Sequence, residues 1–109
     1  MKNSVLTLLG FAAKSGNLVT GEDALINEIR RNSLLLLIIA QDASENTRKK
    51  LSDKAKSYGV DFYICFSKDE ISRAIGKENR AAVGIKNAEF HKRIMELLGG
   101  EPYVKDKGI

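Results

Sequence analysis

The chain has 109 residues, 43% of them apolar and 29% charged, with a formal net charge of +4 and an isoelectric point near 9.3. That length suits one domain, expected over residues 1–100 with a loose tail at 101–109, and no apolar window approaches the ~20 residues of a membrane span. A single cysteine, Cys65, excludes an internal disulfide and a cysteine-based zinc site, and a single histidine, His91, excludes a histidine cluster for a metal.

The start, Met1-Lys2-Asn3-Ser4, passes straight into a helical pattern without the apolar core of a signal peptide, so a cytoplasmic location is expected. Val5, Leu8, Leu9, Ala12 and Ala13 form the apolar stripe of a first helix over 4–14, with Asn3 or Ser4 placed to cap it. Gly16 ends that helix, and Leu18-Val19 is long enough only for a small strand. Thr20, with Asp23 three positions on, has the form of a capping box for a second helix that runs to about Arg31 and buries Leu25, Ile26 and Ile29.

The run from Ser33 to Ala40 is apolar without alternation, which suits a strand covered on both faces. Ser44 or Asn46 opens a third helix reaching Ser57, with Leu51, Ala55 and Tyr58 on its buried side. Its Arg48, Lys49, Lys50, Lys54 and Lys56 read as a solvated face. Phe62 to Phe66 is the next strand, with Cys65 in it as a small buried hydrophobe. Ser67 and Glu70 make the clearest capping box, for a short fourth helix that stops at Gly76. The polar loop Lys77-Glu78-Asn79-Arg80 leads to a strand over 81–85. A last helix opened by Asn87 then buries Phe90, Ile94, Leu97 and Leu98. Alternating helices and strands of this length give a three-layer α/β/α sandwich on a small mixed sheet of about four strands, whose order the pattern does not disclose.

Catalytic chemistry finds little support. No phosphate loop or dinucleotide fingerprint is present, and no constellation of acid, base and nucleophile. Glu22-Asp23 and Asp69-Glu70 each begin a helix, where carboxylates favour the free amides and the dipole. Neither a cofactor nor a bound metal is expected. Two polar loops, Lys14 to Asn17 with Thr20 to Asp23, and Gly76 to Arg80, instead mix glycine, a cation and short polar side chains beside helix ends. Such surfaces approach a phosphate backbone closely, although well-made turns and caps have the same composition.

The segments Leu9-Gly10-Phe11-Ala12-Ala13-Lys14-Ser15-Gly16, Val19-Thr20-Gly21, Ile38-Ile39-Ala40-Gln41-Asp42-Ala43 and Ile75-Gly76-Lys77 resemble the L-seven-Ae/L-thirty-e ribosomal protein family. The resemblance runs from residue 4 to residue 98 and is nearest to the family's small bacterial members outside the standard ribosomal set. It implies a three-layer α/β/α fold and the binding of structured RNA, many relatives recognising kink-turns. Carried over by position, the contacts come from Gly21, Glu22, Asp23, Ala24 and Asn27 at the start of the second helix, and from Lys77, Glu78, Asn79 and Arg80. On this reading Lys14, Lys77, Arg80 and Arg30 or Arg31 hold phosphates. Gly21 permits close approach, with Gly16 and Asn17 in the neighbouring turn, and Asp23 and Asn79 touch bases.

Strong kink-turn binders of the family carry Gly-x-Asn-Glu where this chain has Gly21-Glu22-Asp23-Ala24. Asn27 replaces a lysine, and Ser72 a frequent glycine. Glu22 and Asp23 place negative charge near a phosphate backbone, so weak binding to a standard kink-turn is expected. Partners implied are structured RNA, including ribosomal RNA and the ribosome, without a membrane or a preference for DNA. The rival reading is a small protein-interaction adaptor on the same scaffold, suited by those acids to a basic partner, and steep salt dependence separates RNA binding from it.

Overall fold

The computed structural model describes the backbone of residues 2–99 and the side chains from residue 4. Helix and strand alternate as α1 (Lys2–Lys14), β1 (Leu18–Thr20), α2 (Glu22–Arg30), β2 (Leu36–Ile39), α3 (Glu45–Tyr58), β3 (Asp61–Ile64), α4 (Lys68–Ile75), β4 (Ala82–Ile85) and α5 (Ala88–Leu97). The expected tail at 101–109 lies outside the described residues.

The unbroken apolar run yields β2, whose four residues are all buried. Burial on both sides of a strand requires cover on both faces: α2 packs with α3 on one, and α1 with α4 and α5 on the other. The strands run in the order β1-β4-β2-β3. β2 is parallel to β3, with Leu36 opposite Asp61, and antiparallel to β4, with Leu36 opposite Ile85. β1 lies antiparallel to β4 at the other edge, Leu18 opposite Ile85 and Thr20 opposite Val83. The sheet is therefore mixed, and its last strand in sequence stands between its first two. Gly84 in β4 admits the layer above it, for a Cβ there would stand 2.5 Å from Leu34 and 2.7 Å from Leu25.

Local signals set most element ends. Ser44 Oγ accepts from Thr47 N (3.1 Å). The Ser67 capping box is complete, with Ser67 Oγ accepting from Glu70 N (3.0 Å) and Glu70 Oε1 from Ser67 N (2.9 Å). Asn87 Oδ1 receives the amides of Glu89 and Phe90. β3 stops two residues short of the expected Phe66, because Phe66 adopts φ 66° and turns the chain into the α4 cap.

Four expectations fail for physical reasons. α1 begins at Lys2, so Asn3 and Ser4 lie inside the helix and not at its cap position. The Thr20–Asp23 box does not form: Gly21 is the N-cap, with no side-chain bond, and Thr20 Oγ1 donates across the sheet to Ala82 O (2.9 Å). Tyr58, read as buried, is 41% exposed at the end of α3. Of the expected core of α5 only Ile94 is fully buried, while Phe90, Leu97 and Leu98 pack at its margin because α5 lies at the flank of α1. His91 Nε2 lies 3.1 Å from Asp61 Oδ2, which satisfies a histidine with no catalytic company.

Candidate nucleic-acid interface

The parallel pairing of β2 with β3, and the antiparallel course of β4, gather the chain turns after β1, β2 and β3 at one end of the sheet together with the approach to β4. The Thr20 hydroxyl, bound to the first residue of β4, fixes the turn into α2 beside the loop that enters β4. Gly21 sits there with φ 98°, a conformation that L side chains rarely adopt, and caps α2 with bare backbone. The first-turn amides of α2 receive no capping side chain, as at helix N-termini that hold anions.

Opposite stands the α4–β4 loop. Gly76 closes α4 in the left-handed region, and Asn79 adopts φ 56°. Ser72 is the one buried polar side chain among the described residues, 6% exposed. Its Oγ accepts from Arg80 N (2.8 Å), and its backbone carbonyl accepts from Lys77 N (3.0 Å), so both ends of the loop are pinned to α4. Arg80 Nη1 reaches to 3.9 Å from where a Gly21 side chain would begin. The Arg80 Nε is buried with no hydrogen-bond partner among the described residues. Gly21, Glu22, Asn79 and Arg80 thus line one cleft of about 210 Å³, with Leu25 and Leu51 at its floor.

Glu22 does not face this cleft as a free charge. Thr47 Oγ1 donates to one carboxylate oxygen (3.1 Å) and Lys50 Nζ to the other (2.8 Å). The Lys50 hydrogen bond, seconded by Thr47 and opposed by burial, holds the Glu22 carboxyl below its ordinary value, and the same bond raises Lys50. Thr47 and Lys50 carried no signal in the sequence beyond a basic helix face, since their role depends on a partner 25 and 28 residues away.

The remaining candidates divide. Lys77, Glu78 and Asn79 line an adjoining depression. Asp23, Ala24 and Asn27 are exposed on the first turns of α2. Arg30, at the far end of the nine-residue α2, stands about 12 Å along the helix from its start. Gly16 and Asn17 also belong to the opposite end of the sheet, where Asn17 O accepts from Lys86 N (3.1 Å). Lys14 lines a groove between α1 and α4. The two polar loops of the sequence are therefore one cleft plus an outlying turn. Among the described residues no group of acids, histidine and cysteine is placed to hold a metal, and no helix is long and apolar enough to cross a membrane.

A profile of the family described as "Ribosomal protein L7Ae/L30e/S12e/Gadd45 family" matches residues 3–95. The chain belongs to this family. It is similar to an "RNA-binding protein YlxQ" of Enterococcus faecium, 39% identical over 99 residues that cover 91% of this chain and 95% of that one. A protein of the same name from Bacillus subtilis is 38% identical over 91 residues, 84% of this chain and 91% of that one. Among solved structures, a Bacillus halodurans protein of unknown function superposes with a TM-score of 0.83 at 35% identity, over 87% of this chain and 96% of its own. A Giardia lamblia 15.5kD RNA binding protein superposes with a TM-score of 0.78 at 22% identity, over 91% of this chain and 85% of its own, a likeness of fold. Ser72 has a definite task in this chain, holding the Arg80 amide on its hydroxyl.

Proposed function

We propose that the protein binds structured RNA, with no chemical step, through the cleft between the start of α2 and the α4–β4 loop. The observation that carries this is the approach of Arg80 Nη1 to the bare backbone of Gly21, both of which line one cleft. An acceptor on the RNA would meet the outer nitrogens of the guanidinium, while the first-turn amides of α2 take a phosphate or base edge. Family membership and the names of the YlxQ relatives support the same reading. Lys77 and Arg80 supply charge to the backbone. Asn79 and Asp23 flank the cleft with groups able to address unpaired bases, the usual route to specificity in folded RNA. Ribosomal RNA in the cytoplasm is the target class that family membership favours.

With Glu22 neutralised by Lys50, Asp23 is the carboxylate left to weaken binding at the α2 start. The test is a titration of wild type and Lys77→Glu/Arg80→Glu against a kink-turn RNA and a folded ribosomal fragment over a range of salt. The double variant is expected to bind more weakly and to lower the salt slope by roughly one unit for each phosphate it no longer neutralises. Coincident curves for the two proteins would exclude this surface.

A further inference from the structure

The cleft does not end at Asn79. That residue also borders a depression lined by Asp42, Lys68, Arg73 and Lys77. Arg73 in turn borders the groove between α1 and α4, about 550 Å³, where Leu6, Gly10, Phe11 and Lys14 supply the α1 wall. This groove depends on Gly10, whose Cβ would stand 2.8 Å from the Ala74 carbonyl, so that the helices meet at bare backbone. Beside this meeting point Phe11 is 56% exposed, one of two large hydrophobic side chains so exposed among the described residues. Its other side borders a hollow rimmed by Arg93.

The charges along this path alternate in sign. Lys77, Lys68, Arg73 and Lys14 follow one another along it, with Asp42, Asp69, Glu70 and Glu78 among them, and three of these acids are engaged within the protein. Asp42 Oδ1 accepts from Lys68 N (2.8 Å). Asp69 pairs with Arg73 (3.1 Å), and Glu70 Oε1 serves the Ser67 cap. Glu78 is exposed in the loop, as are Asp42 and Asp69.

We propose that an RNA strand seated in the cleft continues past Lys77 and Arg73 into the α1–α4 groove, where an unpaired base stacks on Phe11 and its phosphate meets Lys14. The inference rests on the proposed function and extends it to a second subsite for single-stranded RNA. Continuity with the cleft, and cations on both sides of a lone aromatic ring, favour RNA over an apolar protein segment. Every base offers a face to such a ring, so the subsite reads strand flexibility and not sequence.

The test compares one kink-turn RNA, blunt, with the same RNA carrying a short run of unpaired adenosines at each end. Wild type should bind the tailed form about tenfold more tightly, with amide shifts at Thr7, Phe11, Lys14 and Ala74 in nuclear magnetic resonance spectra. Phe11→Tyr should keep that gain. Phe11→Leu, apolar but without a π face, should lose it, while blunt RNA binds all three proteins alike. Equal affinity of wild type for the two RNAs, or a gain that survives Phe11→Leu, overturns the subsite while leaving the cleft intact. Failure of both RNAs, and of the folded ribosomal fragment, to bind at all overturns the RNA reading itself. Self-association of wild type that covers Phe11 in sedimentation runs also overturns the subsite, by assigning the groove to a second copy.

Discussion

The carboxylate of Glu22 is held on both oxygens by α3, and this decides what the start of α2 presents to an anion. Removing the lysine in Lys50→Met leaves an unneutralised acid beside Gly21. RNA binding should fall by more than in Lys54→Met, where only a remote cation is removed, and Lys50→Met/Glu22→Gln should recover most of the difference. Equal losses at positions 50 and 54 would mean that Lys50 is simply one more cation. The pair also sets a pH window. Glu22 titrates lower in the folded chain than in the unfolded one, so its contribution is complete above the ordinary carboxylate value of 4.5 and disappears as pH falls through its lowered value. Lys50 is raised, so its share is complete below 10.5 and is lost as pH rises through the raised value. Denaturant midpoints of wild type and Glu22→Gln should accordingly differ by a constant amount across neutral pH and converge in acid.

The α4–β4 loop shows what one hydroxyl does for an element. Ser72 is in the core, and Arg80 N has it as acceptor. In Ser72→Ala that amide is left without its partner at a cost of about 1–3 kcal/mol. The loop should loosen before the sheet does, with faster hydrogen exchange at Lys77 and Arg80 than in β4. Unchanged stability would show that water replaces the hydroxyl freely. The same loop marks the boundary of what the sequence discloses about elements. Ser67 and Glu70 are three residues apart, so their box was readable as local chemistry. Thr20 and Asp23 have the same spacing, yet Thr20 commits its hydroxyl to Ala82, 62 residues later, and no local pattern announces that. Gly21 and Arg80 were each legible as candidates; their meeting was not, because it follows from strand order.

At the scale of the molecule, the apolar run of β2 made a two-sided sheet legible from the chain alone. The mixture of parallel and antiparallel neighbours was expected, but which strands pair was not, because β2 and β4 are both wholly buried and look alike in composition. That order separates the polar loops, setting Asn17 beside Lys86 and Gly21 beside Arg80. It also imposes a schedule on the newborn chain. Because β4 lies between β1 and β2, the first strand synthesised has no ladder until residues 82–85 have left the ribosome. Until then β2 and β3 can zip together through α3, while β1 waits as a lone ribbon and the proposed cleft has only one wall. Pairings so distant in sequence form late. A nascent chain stalled with Arg80 just outside the exit tunnel should be digested readily at β1, and one stalled beyond Leu98 should resist. Protection of β1 in the shorter chain would show that the strand finds a surrogate partner. For a protein whose proposed ligand is RNA, the schedule works as a safeguard: the proposed surface is complete only once residues 80–85 have emerged, so a shorter chain is a poor competitor for the RNA around it.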